Sequence, residues 1–108
     1  MSSRFRIGLS LVLIVVALTG SVPMFAADGA ALYKSKCAMC HGPDGTGNTP
    51  MGKTLKVKSL ASPEVQKQTD AELEKIISGG KGKMPAFAGK LSADELKAVV
   101  QFIRGFKK

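Results

Sequence analysis

Residues 37–41 read Cys37-Ala38-Met39-Cys40-His41, and the spacing of this "CAMCH" governs how the rest of the 108-residue chain is understood. The preceding residues from Gly29 onward, "GAALYKSK", hold no helix breaker after the first glycine, and Asp28 is suited to capping the start. One helix is therefore expected over residues 29–41. On it Cys37, Cys40 and His41 fall at positions i, i+3 and i+4 and project from one face, while Ala38 and Met39 point elsewhere. A thioredoxin-like redox pair would need a strand ahead of the motif and a βαβ pattern around it, and neither is present. A structural zinc site needs four ligands, whereas the chain offers two cysteines and one histidine. A disulfide across two residues is geometrically feasible but leaves the adjacent His41 unexplained. C-x-x-C-H is the attachment pattern of c-type haem: two thiols bond the two vinyl groups of the macrocycle, and the imidazole reaches the iron as proximal ligand.

Upstream, Arg4 and Arg6 precede an apolar run from Ile7 to Leu18, the order of a secretory signal peptide. Small residues place the exit best after Ala26, although Met24, third from that cut, is not small. The expected division is a signal peptide over 1–26 and a single domain over 27–108. The 21 uncharged residues between Arg6 and Asp28 also match the roughly 20 needed to span a bilayer, which leaves an uncleaved anchor as the alternative. Gly20, Ser21 and Pro23 interrupt the run and favour cleavage. The expected location is the periplasm, with membrane attachment only if the segment is retained.

Cleavage lowers the net charge from +8 to +6, since Arg4 and Arg6 are lost and all eight acids lie at or beyond Asp28. Such a basic domain suits an acidic protein face or an anionic membrane. Nucleic acid is a poor partner, because the basic residues lack interleaved aromatics and the chain is exported. A domain of this size has a marginal core without an added staple, a role that a covalently held macrocycle fills.

Three further helical segments follow the motif. Ser62-Pro63-Glu64 reads as a cap with proline at the first helical position. Thr69 and Glu72 form a capping box ahead of a stripe of Leu73, Ile76 and Ile77, which Gly79 and Gly80 stop. Ser92 and Glu95 form a second box, with Leu91 and Leu96 placed as a hydrophobic staple. Leu96, Val99, Val100, Ile103 and Phe106 then line one face of the last helix. No segment shows the two-residue alternation of a strand, so the expected class is all-α. Residues 42–54, with four glycines and two prolines, are expected to form a loop.

Within that loop "GNTPMGKT", Gly47 to Thr54, matches the phosphate-cradling pattern G-x-x-x-x-G-K-[ST] letter for letter. A phosphate loop needs a buried strand feeding the glycines and a long helix leaving them. "HGPDGT" before it cannot be a strand, and Pro63 follows too soon for a long helix. Nucleotide binding is therefore not expected.

His41 is the only histidine, which rules out a second imidazole on the iron. Met24 lies in the leader and Met39 faces away between the cysteines, which leaves Met51 and Met84. Met51 comes ten residues after His41 in a loop that must first clear the haem edge. Met84 follows a complete helix and a glycine-rich turn able to return to the opposite face, with Pro85 preventing that loop from coiling. The geometry favours Met84. The bland reading of either residue is an ordinary packing thioether.

"GAALYKSKCAMCHGPDGTG", "GKGKMPAF" and "LSADELKAVVQFIR" resemble the three signature segments of the small single-haem class I c-type cytochromes of bacteria, over nearly all of residues 28–108. The resemblance implies an all-α cytochrome c fold whose N- and C-terminal helices cross at right angles, with Gly29 and Tyr33 meeting Phe102. It implies one haem c held through Cys37 and Cys40, with His41 and Met84 as axial ligands. It also implies a backbone carbonyl orienting the imidazole, for which Pro50 is the local candidate, and a "GNTPMGKT" segment acting as a strap over one haem edge. The function implied is one-electron shuttling, without catalysis, between redox proteins with acidic docking faces, by a protein expected to be monomeric. Lys53, Lys56, Lys58, Lys81 and Lys83 are the candidate steering charges. The alternative is a labile sixth ligand, giving weak peroxidase activity or a gas-binding sensor.

Overall fold

The computed structural model describes residues 27–108. The leader expected over 1–26 lies outside the described residues. These residues form six helical segments: α1 (Gly29–Lys36), α2 (Ala38–His41), α3 (Pro50–Leu55), α4 (Pro63–Gln66), α5 (Asp70–Gly79) and α6 (Ala93–Arg104). Only two isolated β-bridges occur among them, Lys81 with Met84 and Ala88 with Leu91. No helix among the described residues is long and apolar enough to cross a membrane.

Local sequence signals account for most helix starts. Asp28 accepts from the Ala31 N–H, Ser62 from Val65, Thr69 from Glu72 and Ser92 from Glu95. Both expected capping boxes are complete, since the Glu72 and Glu95 carboxylates reach back to the Thr69 and Ser92 N–H groups at 2.9 Å each.

Two expectations need correction. The helix foreseen over 29–41 is divided at Cys37, whose φ of −118° widens the turn. Cys37 N–H donates to Tyr33 at 2.8 Å and His41 N–H to the Cys37 carbonyl at 3.0 Å, but neither Ala38 nor Met39 N–H bonds back to α1. The second half of the motif, Ala38–His41, thus forms its own short turn, α2. The loop expected over 42–54 ends in α3: Thr49 caps it by accepting from the Gly52 N–H at 2.8 Å, and Pro50 starts it where a missing N–H costs nothing. Lys56 closes α3 in the left-handed region, at φ 56°.

The N- and C-terminal helices meet directly. The Gly29 backbone lies against the Ala98 carbonyl so closely that a side chain there would overlap the oxygen. Beside this contact the Tyr33 ring packs on Phe102 and Phe106, with centroids 4.9 and 5.3 Å away. The C-terminal end of α6 is also fastened by Arg104, which donates to the carbonyls of Gln66 and Gln68 and pairs with Asp70 at 2.9 Å.

The buried apolar core among the described residues is small: Tyr33, Leu73, Ile77, Val99, Val100 and Ile103. Leu91 and Leu96, the expected staple, are partly buried against it.

Candidate haem site

A cavity of about 610 Å³ opens between α2, α5, α6 and the segment around Met84. Its volume lies within the roughly 300–1,000 Å³ range of cofactor sites. Five of the six core residues, all but Val100, also form its wall. The domain's apolar interior is therefore largely the lining of this space. Leu55, Val57, Leu60, Val65, Ile76 and Phe87 complete a predominantly hydrocarbon surface.

Cys37, Cys40, His41 and Met84 all line this one cavity. Both cysteines are free thiols, with no bond between them. Burial raises the Cys37 thiol pKa, with Lys36 acting in the opposite direction. Burial also lowers the His41 pKa, so the neutral imidazole, which has a lone pair for a metal, prevails at neutral pH. His41 Nδ1 is buried without a hydrogen-bond partner.

Met84 closes a tight turn in which its N–H donates to the Lys81 carbonyl at 2.9 Å and the Lys81 N–H returns to the Met84 carbonyl at 3.2 Å. Two more backbone bonds tie the following residues to α5, from Phe87 to Ile77 and from Ala88 to Ser78, each 3.0 Å. The segment is a pinned strap. Met51, the other methionine weighed from sequence, is 44% exposed and does not line the cavity.

Pro50 does not take the place expected of it. It is exposed and outside the cavity lining, and its carbonyl accepts from Thr54 Oγ1 at 2.9 Å. As first residue of α3 its carbonyl is turned along that helix, so no bond to His41 forms. "GNTPMGKT" also lacks the machinery of a phosphate loop, because no strand precedes it among the described residues and α3 has only six residues. Gly52 instead lets α3 pack on the Cys40 and Gly47 carbonyls, which any side chain would strike.

Five exposed lysines stand on the cavity wall: Lys36, Lys56, Lys58, Lys81 and Lys83. Lys53, grouped with them from sequence, is not on that wall, and Lys36, which was not singled out, is. Its position directly before Cys37 was the available signal. Lys58 pairs with Glu64 at 2.7 Å, but both groups are well exposed and the pair contributes little to stability.

The comparison with known sequences agrees with this geometry. Residues 25–103 match the family described as cytochrome c oxidase, cbb3-type, subunit III. The chain belongs to the c-type cytochrome family. This cytochrome is 36% identical to the cytochrome c6 of Leptolyngbya boryana over 78 residues, which span 72% of the chain and 88% of that protein. It is also 36% identical to the cytochrome c6 of Synechococcus sp. (strain ATCC 27167 / PCC 6312) over 99 residues, 88% of the chain and 85% of the relative. Among solved structures, the KustC0563 c-type cytochrome superposes with a TM-score of 0.69 and 40% identity, covering 75% of this chain and 99% of that one. The fold is the all-α cytochrome c fold, and this small monohaem cytochrome carries one covalent haem c. The free thiols, the neutral imidazole and the apolar cavity fit that group.

Proposed function

We propose that this monohaem electron carrier shuttles single electrons between redox proteins in the periplasm, and that His41 and Met84 would hold the iron of its haem. The observation that supports the reading best is that Cys37, Cys40, His41 and Met84 share one apolar cavity. The haem supplies a one-electron couple, and histidine with methionine raises its potential. The chain's own residues do the rest. His41, held neutral by burial, offers a ring nitrogen without first losing a proton. The bonded turn at Lys81–Met84 restrains the backbone that carries the thioether, so Met84 would be retained on a bound iron in both oxidation states with little rearrangement of the chain. The same pinning argues against a labile sixth ligand. The hydrocarbon lining would keep water away from a bound iron.

The lysines on the cavity wall suit an acidic docking face, where complementary charge accelerates encounter more than it deepens affinity. Reduction rates by an acidic redox protein should fall steeply as salt rises. Rates indifferent to ionic strength would remove the steering role. For the ligand set, intact mass and the visible spectrum of the exported protein give the decision: mass added by one macrocycle, with six-coordinate bands in both oxidation states. A colourless product from a host able to mature c-type cytochromes would overturn the reading.

A further inference from the structure

The carbonyls of Cys40, His41 and Gly42 lie where α2 ends, so no further turn of that helix exists to satisfy them. Each has a donor from elsewhere in the fold. Thr49 Oγ1 donates to the Cys40 carbonyl at 2.9 Å, the Gly47 N–H to the His41 carbonyl at 2.6 Å, and the Tyr33 hydroxyl to the Gly42 carbonyl at 2.6 Å, where the Gly45 N–H is a second, longer donor at 3.1 Å. Two of these donors are side chains brought from other elements, one from α1 and one from the cap of α3. Neither is free to leave. Tyr33 is 1% exposed and wedged against Phe102 and Phe106. Thr49 Oγ1 is used twice, since it also accepts from the Gly52 N–H.

No protein group fastens the ring in the same way, because His41 Nδ1 has no hydrogen-bond partner. The pose of the imidazole therefore depends on the backbone that carries it. Packing alone does not call for the Tyr33 oxygen: phenylalanine would fill the same space, and a buried hydroxyl is tolerated only when bonded. Its bond is directed one residue past His41.

We propose that Tyr33 and Thr49 are positioning residues for the His41 imidazole, clamping the carbonyls on either side of it and so helping to set the reduction potential of the haem. The inference rests on His41 being an axial ligand. Groups that orient a metal-bound histidine commonly tune the metal.

The test uses the haem-loaded protein carrying Tyr33→Phe, Thr49→Val or Thr49→Ser, with Val100→Ala as a destabilised control. Val100 is fully buried but outside the cavity wall, so its truncation weakens packing without touching the clamp. Two quantities are read: the ratio of reduced to oxidised protein at a fixed ambient potential, and the paramagnetically shifted haem methyl resonances of the ferric form, which report the orientation of the axial imidazole. Tyr33→Phe and Thr49→Val should each change the ratio by roughly twofold to fivefold, part of one net hydrogen bond expressed differently in the two oxidation states. Both should rearrange the methyl pattern. Thr49→Ser, which retains the donor, and Val100→Ala should leave both near wild type. Any other combination overturns the proposal, including a shift in Val100→Ala as large as that in Tyr33→Phe. Haem retention by wild type on a denaturing gel separates the two levels: its loss defeats the haem reading itself, whereas retention with unmoved variants defeats only the clamp.

Discussion

The backbone of Gly29 in α1 rests against the carbonyl of Ala98 in α6, with the first carbon of the Phe102 side chain 3.4 Å from where a methyl group on Gly29 would lie. This contact sets the spacing of the two terminal helices and hence the position of Tyr33, one turn further along α1. Gly29→Ala forces the helices apart. A loss of about 1–3 kcal/mol is expected, as for overpacking a dense core. In a domain this small, each kcal/mol lowers the melting temperature by roughly 4–8 °C. Thermal denaturation followed by far-UV circular dichroism checks it.

The two methionines weighed as iron ligands give a sharp contrast. Met84→Ala should open the sixth position, so the ferrous protein binds carbon monoxide on mixing while wild type does not. Met51→Ala, at an exposed site off the cavity wall, should behave as wild type in the same experiment. Prompt carbon monoxide binding by wild type would instead favour the labile-ligand alternative.

Haem should be required for folding. Because nearly all of the buried core also faces the cavity, a haem-free chain leaves Leu73, Ile77, Val99 and Ile103 without a second surface to pack on. The Cys37→Ala/Cys40→Ala double variant should release its haem under denaturing conditions. Once stripped, it should show little helical ellipticity and poor amide dispersion in NMR spectra. A well-dispersed spectrum from the stripped chain would contradict this.

The α6 capping box gives a pH dependence of defined sign. The Ser92 backbone N–H, then its hydroxyl, hold the Glu95 carboxyl below its ordinary 4.5. The native state thus binds fewer protons than the unfolded chain, and the contribution is present above the unfolded value and lost as pH falls through the lower folded one. The melting-temperature advantage of wild type over Glu95→Gln should be full near neutrality and close as the solution is acidified below about pH 4. An advantage independent of pH would remove the carboxylate from the account.

The motif, the caps and the apolar stripes were legible in the sequence because each is decided within about four residues. The placement of Met84 rather than Met51 on the cavity wall also followed from chain length and turns. What escaped was set by contacts distant in sequence or by competing local rules. Cys37 widens the turn in a segment with no breaker. The count of glycines and prolines in 42–54 hid a helix that starts on Pro50 for the very reason proline suits a first turn. That same start turns the Pro50 carbonyl away from His41, which defeated the inference drawn from resemblance. The Tyr33–Gly42 and Thr49–Cys40 bonds each join residues nine apart through folded geometry. No periodicity announces them.

Lys56 combines the left-handed backbone that ends α3 with a place on the cavity wall. A residue with a side chain is less comfortable there than glycine by about 1–2 kcal/mol. Exchange for glycine would make the molecule sturdier but would remove a positive charge from the cavity rim proposed above as the docking face. On the proposed docking role, durability and speed of encounter are set against each other at this one position.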